Sequence, residues 1–101
     1  MYSKSLYLAT TMPRVQFTPI LKRFFPALQA TDINASSVGE LLEQLEQQYP
    51  GIKDYLLDEQ ELLRKHVNIF VNDVLIRDLS SLDDQLKAED EVFIMQALSG
   101  G

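Results

Sequence analysis

The sequence predicts an α+β domain in which one main helix crosses a mixed sheet of four to five strands. Three observations carry that prediction. Residues 38–49 place apolar side chains at helical spacing. Alternating, β-rich segments lie on both sides of them, at residues 14–18 and again at 66–77 and 91–97. The chain has 101 residues, 46% of them hydrophobic, which suits one core and one domain.

In residues 1–11, Leu6, Leu8 and Thr10 alternate with Tyr7 and Ala9. This stretch is read as an N-terminal extension, either disordered or forming an added strand. Arg14-Val15-Gln16-Phe17-Thr18 alternates and forms a strand, which Pro19 cuts short. Residues 20–25 read as a loop or short helical turn ended by Pro26. A short second strand is placed at residues 29–35.

Ser37-Val38-Gly39-Glu40 is a capping box, in which the Ser hydroxyl and the Glu carboxylate each accept a free backbone N–H. Behind it Val38, Leu41, Leu42, Leu45 and Tyr49 make one apolar helix stripe, with Glu40, Glu43, Gln44, Glu46 and Gln47 facing water. Pro50-Gly51 stops the helix. Residues 52–64 add a helical turn with Leu56 and Leu57 inward. Residues 66–71 form a strand with Val67, Ile69 and Val71 on one face, and Asn72-Asp73 signals a tight turn into a return strand at 74–77. Leu79, Leu82 and Leu86 suit a compact turn region. Residues 91–97 are the last strand, with Val92 and Ile94 on one face. The domain is thereby bounded at residues 12–97, and residues 98–101 are read as a flexible tail.

Composition narrows the function. The net charge is −6, which opposes binding to a phosphate backbone, so no nucleic-acid partner is expected. Such a balance suits solubility and equally suits steering toward a basic protein surface. No apolar run reaches the roughly 18–20 residues of a membrane span. The first residues do not read as a signal peptide, so a cytoplasmic location and no membrane contact are expected. The chain has no Cys, which excludes disulfides, thiolate metal sites and a Cys nucleophile. Its one His, His66, has no second His or Cys to share a metal. Asp83-Asp84 and Glu89-Asp90-Glu91 fall in expected turns and read as solvated acids. No metal or cofactor site and no catalytic constellation emerge, so the chain is not expected to be an enzyme on its own.

The end Leu98-Ser99-Gly100-Gly101 is different. Glycine is narrow and reaches backbone angles closed to other residues. A Gly-Gly end can therefore thread a tunnel that bars side chains. A carboxylate acylates poorly, and forming an acyl-adenylate activates it. Gly101 is thus the candidate reactive group and Gly100 its slim neck. A second feature is the sheet face turned from the helix. If Val67, Ile69, Val71, Val92 and Ile94 point at the helix, alternation sends Phe70, Phe93 and Met95 the other way. These three, with Leu98 and Ser99, are the candidate partner-binding residues.

Four stretches carry a resemblance to a known family. They are Val15-Gln16-Phe17-Thr18-Pro19-Ile20-Leu21, then Leu45-Glu46-Gln47-Gln48-Tyr49-Pro50-Gly51-Ile52, then Val67-Asn68-Ile69-Phe70-Val71-Asn72-Asp73 with Arg77, and Asp90-Glu91-Val92 leading to the Gly-Gly end. From residue 12 onward the chain resembles the β-grasp (ubiquitin-like) sulfur carriers of MoaD/ThiS type, and among them most the carriers of cysteine biosynthesis. It departs from them at Ala88-Glu89-Asp90, where Asp-Gly-Asp is common, and at Gln96, where Pro is common.

The resemblance implies a carrier whose Gly101 carboxylate is adenylated by an E1-like enzyme with ATP and then converted to a thiocarboxylate. A partner synthase would take up the tail and accept the sulfur. That partner would be a pyridoxal-phosphate sulfhydrylase in cysteine biosynthesis, or the molybdopterin synthase large subunit. A protein modifier joined to lysines and a pure binding module with an inert tail are the competing readings.

Overall fold

A computed structural model describes residues 12–77 and 82–96. The expectations for residues 1–11, for Leu79, for Ala97 and for the tail at 98–101 lie outside the described residues. Strand β1 spans Arg14–Phe17, β2 Thr31–Asp32, β3 Val67–Val71, β4 Val74–Leu75 and β5 Glu91–Gln96. Helix α1 spans Val38–Gln48 and α2 spans Ile52–Leu56. A 3-10 helix, Pro19–Arg23, follows β1. The sheet order is β2-β1-β5-β3-β4. Only β1 and β5 run parallel, so the sheet is mixed, as expected.

Most inward strand positions are filled by apolar side chains, Thr31 and Gln96 at the margins being polar. Val15, Val67, Ile69, Val92 and Ile94 are buried against Val38, Leu41, Leu42 and Leu45 of α1 in one cluster. Period two on the strands and 3.6 on the helix produce this face-to-stripe contact. Leu56 and Leu57 are buried, as are Leu82 and Leu86 ahead of β5. The second strand is shorter than residues 29–35. Leu28, Ile33 and Ala35 turn into the core instead, which leaves only two residues to pair with β1.

The start of α1 is satisfied residue by residue. Ser37 Oγ accepts the Glu40 N–H at 3.2 Å. Glu40 Oε1 accepts the Ser36 N–H at 2.6 Å and the Ser36 hydroxyl at 3.0 Å. The box therefore closes one residue earlier than the usual pattern. The Val38 and Gly39 N–H groups donate to the Asp84 and Leu82 carbonyls at 3.0 and 2.8 Å. Orphan donors at a helix start need such partners. Leu82 holds φ at 57°, rare for a bulky residue. Its carbonyl caps α1 while its side chain stays buried. Glu46 is half-exposed and does more than face water. Its carboxylate accepts the Gly51 and Lys53 N–H groups, both at 2.9 Å, and so ties α1 to the start of α2.

Asp90 is a second departure. The expected solvated acid is 8% exposed. Its Oδ1 accepts from Asn72 Nδ2 at 2.7 Å and its Oδ2 accepts the Lys87 N–H at 2.7 Å. Asn72 Oδ1 in turn accepts the Glu91 N–H at 2.9 Å. Asn72 and Asp73 hold φ at 51° and 69°, the positive pair that a two-residue hairpin turn of type I′ requires. The turn at Lys87–Asp90 closes by a 3.0 Å bond between the Asp90 N–H and the Lys87 carbonyl. Neither Ala88 nor Glu89 is among the positive-φ residues. That turn therefore needs no glycine.

Two predictions follow from these polar clasps. Asp90→Ala removes the charged acceptor of two part-buried hydrogen bonds and should cost about 1–3 kcal/mol in urea unfolding. Asn72→Ala should cost a similar amount, and the double variant less than the sum, because both remove one shared bond. Hydrogen bonds from Ser36 hold Glu40 below the ordinary glutamate value of 4.5, and those from Gly51 and Lys53 do the same for Glu46. A depressed folded value gives stability that is present above the unfolded value and lost as pH falls through the folded one. Stability should thus decline on acidification below about 4.5, and Glu46→Gln should flatten that decline in pH-dependent unfolding curves.

Candidate functional site

Gly100 and Gly101, with Leu98 and Ser99, lie outside the described residues. What the structure fixes is where the chain leaves the sheet. Strand β5 is held on both sides, by β1 through Phe17↔Ile94 and by β3 through Val67↔Gln96. At its end the Gln96 N–H donates to Thr18 Oγ1 at 3.1 Å, and the Thr18 N–H donates to the Ile94 carbonyl at 3.1 Å. These bonds pin the last described residue to the end of β1. Gln96 Oε1 is buried there and meets no hydrogen-bond donor among the described residues.

The outer sheet face is organised by register. Phe70 pairs with Phe93 across β3 and β5, and with Leu75 across β3 and β4. Gln16 completes the row beyond Phe93. Met95 pairs with Asn68 one step nearer the tail. Phe70, Phe93 and Met95 are half-buried, whereas Ile69, Val92 and Ile94 on the opposite face are buried. The alternation expected from the sequence thus places the three candidate residues together. Sequence reasoning did not include Leu75, which is 48% exposed and extends the same row. Its position opposite Phe70 was readable only once the tight turn fixed the register.

Nothing among the described residues forms a catalytic constellation. No group of three His, Cys, Asp or Glu residues is placed to hold a metal. No helix there is long and apolar enough to cross a membrane. A cavity of about 410 Å³ opens between Pro13, Ser36, Glu40, Gln44 and Leu86. Its carboxylate, Glu40, is already engaged by Ser36. His66 stands just before β3, half-buried, and has no metal-binding neighbour among the described residues.

The two faces of β3 should respond differently to truncation. Ile69→Ala empties a fully buried site and should cost about 2–5 kcal/mol. Phe70→Ala, half-buried on the other face, should cost less in the same unfolding experiment. Equal losses would place Phe70 in the core.

Known proteins share this architecture. Residues 22–101 match the ThiS family. The sulfur carrier protein CysO of Mycobacterium tuberculosis is 29% identical over 89 residues, spanning 86% of this chain and 96% of that one. A chain of the Amycolatopsis orientalis BexX/CysO complex superposes with a TM-score of 0.75 at 28% identity, covering 88% of this chain and 99% of its own. Small archaeal modifier protein 1 of Methanosarcina acetivorans superposes with a TM-score of 0.73 at 25% identity, covering 90% and 97%. The helix-crossed mixed sheet is the β-grasp fold of these relatives, and the chain belongs to the ThiS family.

Proposed function

We propose that this protein is a sulfur carrier that works through its C-terminal Gly101. The carrying observation is that the family match runs through to Gly101 itself. It includes the Gly-Gly end that chemistry singles out. The carboxylate of Gly101 attacks the α-phosphorus of ATP in an E1-like enzyme, releasing pyrophosphate. A sulfur donor then displaces AMP from the acyl carbon and leaves a thiocarboxylate. Gly100 keeps the neck slim enough to enter a tunnel. Phe70, Phe93 and Met95, with Leu98 and Ser99, dock the domain on its partners.

The proposed acceptor pathway is cysteine biosynthesis, with a pyridoxal-phosphate sulfhydrylase as the receiving enzyme. The similarity to CysO proteins supports that choice. The molybdopterin synthase large subunit is the alternative acceptor. The proposed location is the cytoplasm, where such enzymes and ATP meet. The chain supplies the reactive end and the docking surfaces, and its partners supply the catalysis. Similarity to a small archaeal modifier protein favours a second reading, in which the same activated end is joined to target lysines.

The test is an intact mass of the chain before and after incubation with ATP, a sulfur donor and the E1-like enzyme. The expected result is a gain equal to exchange of one oxygen for sulfur, mapped to Gly101. Deletion of Gly101, or one added residue after it, should abolish the gain. Lysine conjugates in a lysate would favour the modifier reading. No gain, with an enzyme active on another carrier, would overturn the carrier reading, and no lysine conjugates beside it would overturn the modifier reading.

A further inference from the structure

The register sorts the charges of this acidic chain by end. At the end where β5 begins stand Asp32, Asp73, Glu89 and Glu91, all exposed, around the clasp of Asp90 and Asn72. At the other end the chain leaves β5 at Gln96. There the 3-10 helix after β1 carries Lys22 and Arg23 in its last turn, both exposed. Lys65 lies two residues before Val67, the residue paired with Gln96. It is exposed as well. None of the three makes an ion pair among the described residues, whereas Arg14 pairs with Asp32 and Lys53 with Glu43.

An aromatic side chain sits among these cations. Phe24 is 57% exposed and directly follows Arg23. Its ring rests on Tyr55 of α2 at 4.9 Å, and Phe25 meets the same ring edge-on at 5.8 Å. Tyr55 is thereby braced from two sides. Arg64 donates from Nη2 to the Asp54 carbonyl at 3.1 Å, which ties the segment before β3 to the same helix. Phe24 thus meets α2 through Tyr55, and Arg64, the neighbour of Lys65 in sequence, meets it through Asp54. Nearby carboxylates offset part of the cationic charge without pairing with it. Asp58 is committed to the Gln60 and Leu62 N–H groups at 2.8 and 3.0 Å. Asp54 and Glu59 form no ion pair with Lys22, Arg23 or Lys65.

We infer that Lys22, Arg23 and Lys65, with Phe24 as apolar anchor, form a collar at the tail exit that docks on an acidic rim around the channel of the tail-activating enzyme. The inference rests on the tail-activation reading above. Net charge alone left plain solubility and steering toward a basic partner surface equally open; the exposed cations gathered where β5 ends add a local contact of the opposite sense. A tail that must enter a channel brings this end against the channel mouth. Unpaired cations there gain most from facing carboxylates. Charges at the rim of an interface act mainly on encounter rate and salt dependence, and a buried aromatic anchor acts on dissociation.

The experiment measures the steady-state rate of adenylation by the E1-like enzyme against carrier concentration, at low and high salt. Lys22→Gln/Arg23→Gln and Lys87→Glu each lower the net charge by two, and Lys87 lies at the acidic end beside Asp90. The expected result is a KM raised roughly tenfold at low salt for the tail-end pair, with kcat unchanged and the salt dependence flattened. Lys87→Glu should stay near wild type, and Phe24→Ala should raise KM without changing the salt slope. Equal KM values for the tail-end pair and Lys87→Glu would overturn the collar while leaving tail activation standing. A wild-type chain that is not adenylated at all would overturn the function reading, and the collar with it. Circular dichroism of each variant separates loss of docking from loss of fold.

Discussion

The parallel pairing of β1 with β5 is the constraint on which the rest of the molecule depends. It joins segments from opposite ends of the described chain, with Arg14 opposite Glu91 and Phe17 opposite Ile94. Parallel neighbours need a crossover connection, and here everything between them supplies it. The main helix, its short successor and the β3–β4 hairpin are all strung between the two strands. Once β5 lies between β1 and β3, Val92 and Ile94 complete the apolar face that α1 covers. Such long-range pairing is entropically costly and late to form. The Asn72–Asp90 clasp offsets part of that cost by tying the hairpin turn to the residue just ahead of β5. It also fixes the register, since a slip of one residue would turn Phe93 inward and Ile94 outward.

Much of this was legible in the residues. The stripe of Val38, Leu41, Leu42 and Leu45 and the alternation in β3 and β5 announce themselves, because local periodicity and burial agree. Asn72-Asp73 announced its turn because few other pairs tolerate two positive φ values. The features that escaped notice depend on polar partners that no helix or strand period reveals. Nothing in Asp90 or Glu46 says that backbone N–H groups will collect around their carboxylates. Leu82 gives no hint of a left-handed backbone, because the cause is an α1 donor that needs its carbonyl. The second strand was overestimated because a run of mixed residues does not disclose which of them the core claims.

The candidate site was read in a different way. Gly100 and Gly101 stood out in the sequence by having no side chains, and they lie outside the described residues. Phe70, Phe93 and Met95 followed from alternation alone. The pairing of Leu75 with Phe70, and the convergence of Lys22 and Arg23 with Lys65, did not. Those depend on which strand neighbours which, and on both sides of Gln96 being held. Composition reported one net charge for the chain, and only the fold could divide it between two ends.

Holding β5 on both sides also decides how the domain answers a mechanical load. A partner that draws the tail into a channel pulls along the axis of β5. The hydrogen bonds to β1 and β3 lie across that axis, so they are strained together in shear. An edge strand pulled outward would instead be peeled, one bond breaking before the next is loaded. The hydrogen bond from Gln96 to Thr18 is the first to feel the force and passes it directly into β1. A load applied at Gln96 is therefore shared by both neighbouring strands before the sheet can unravel.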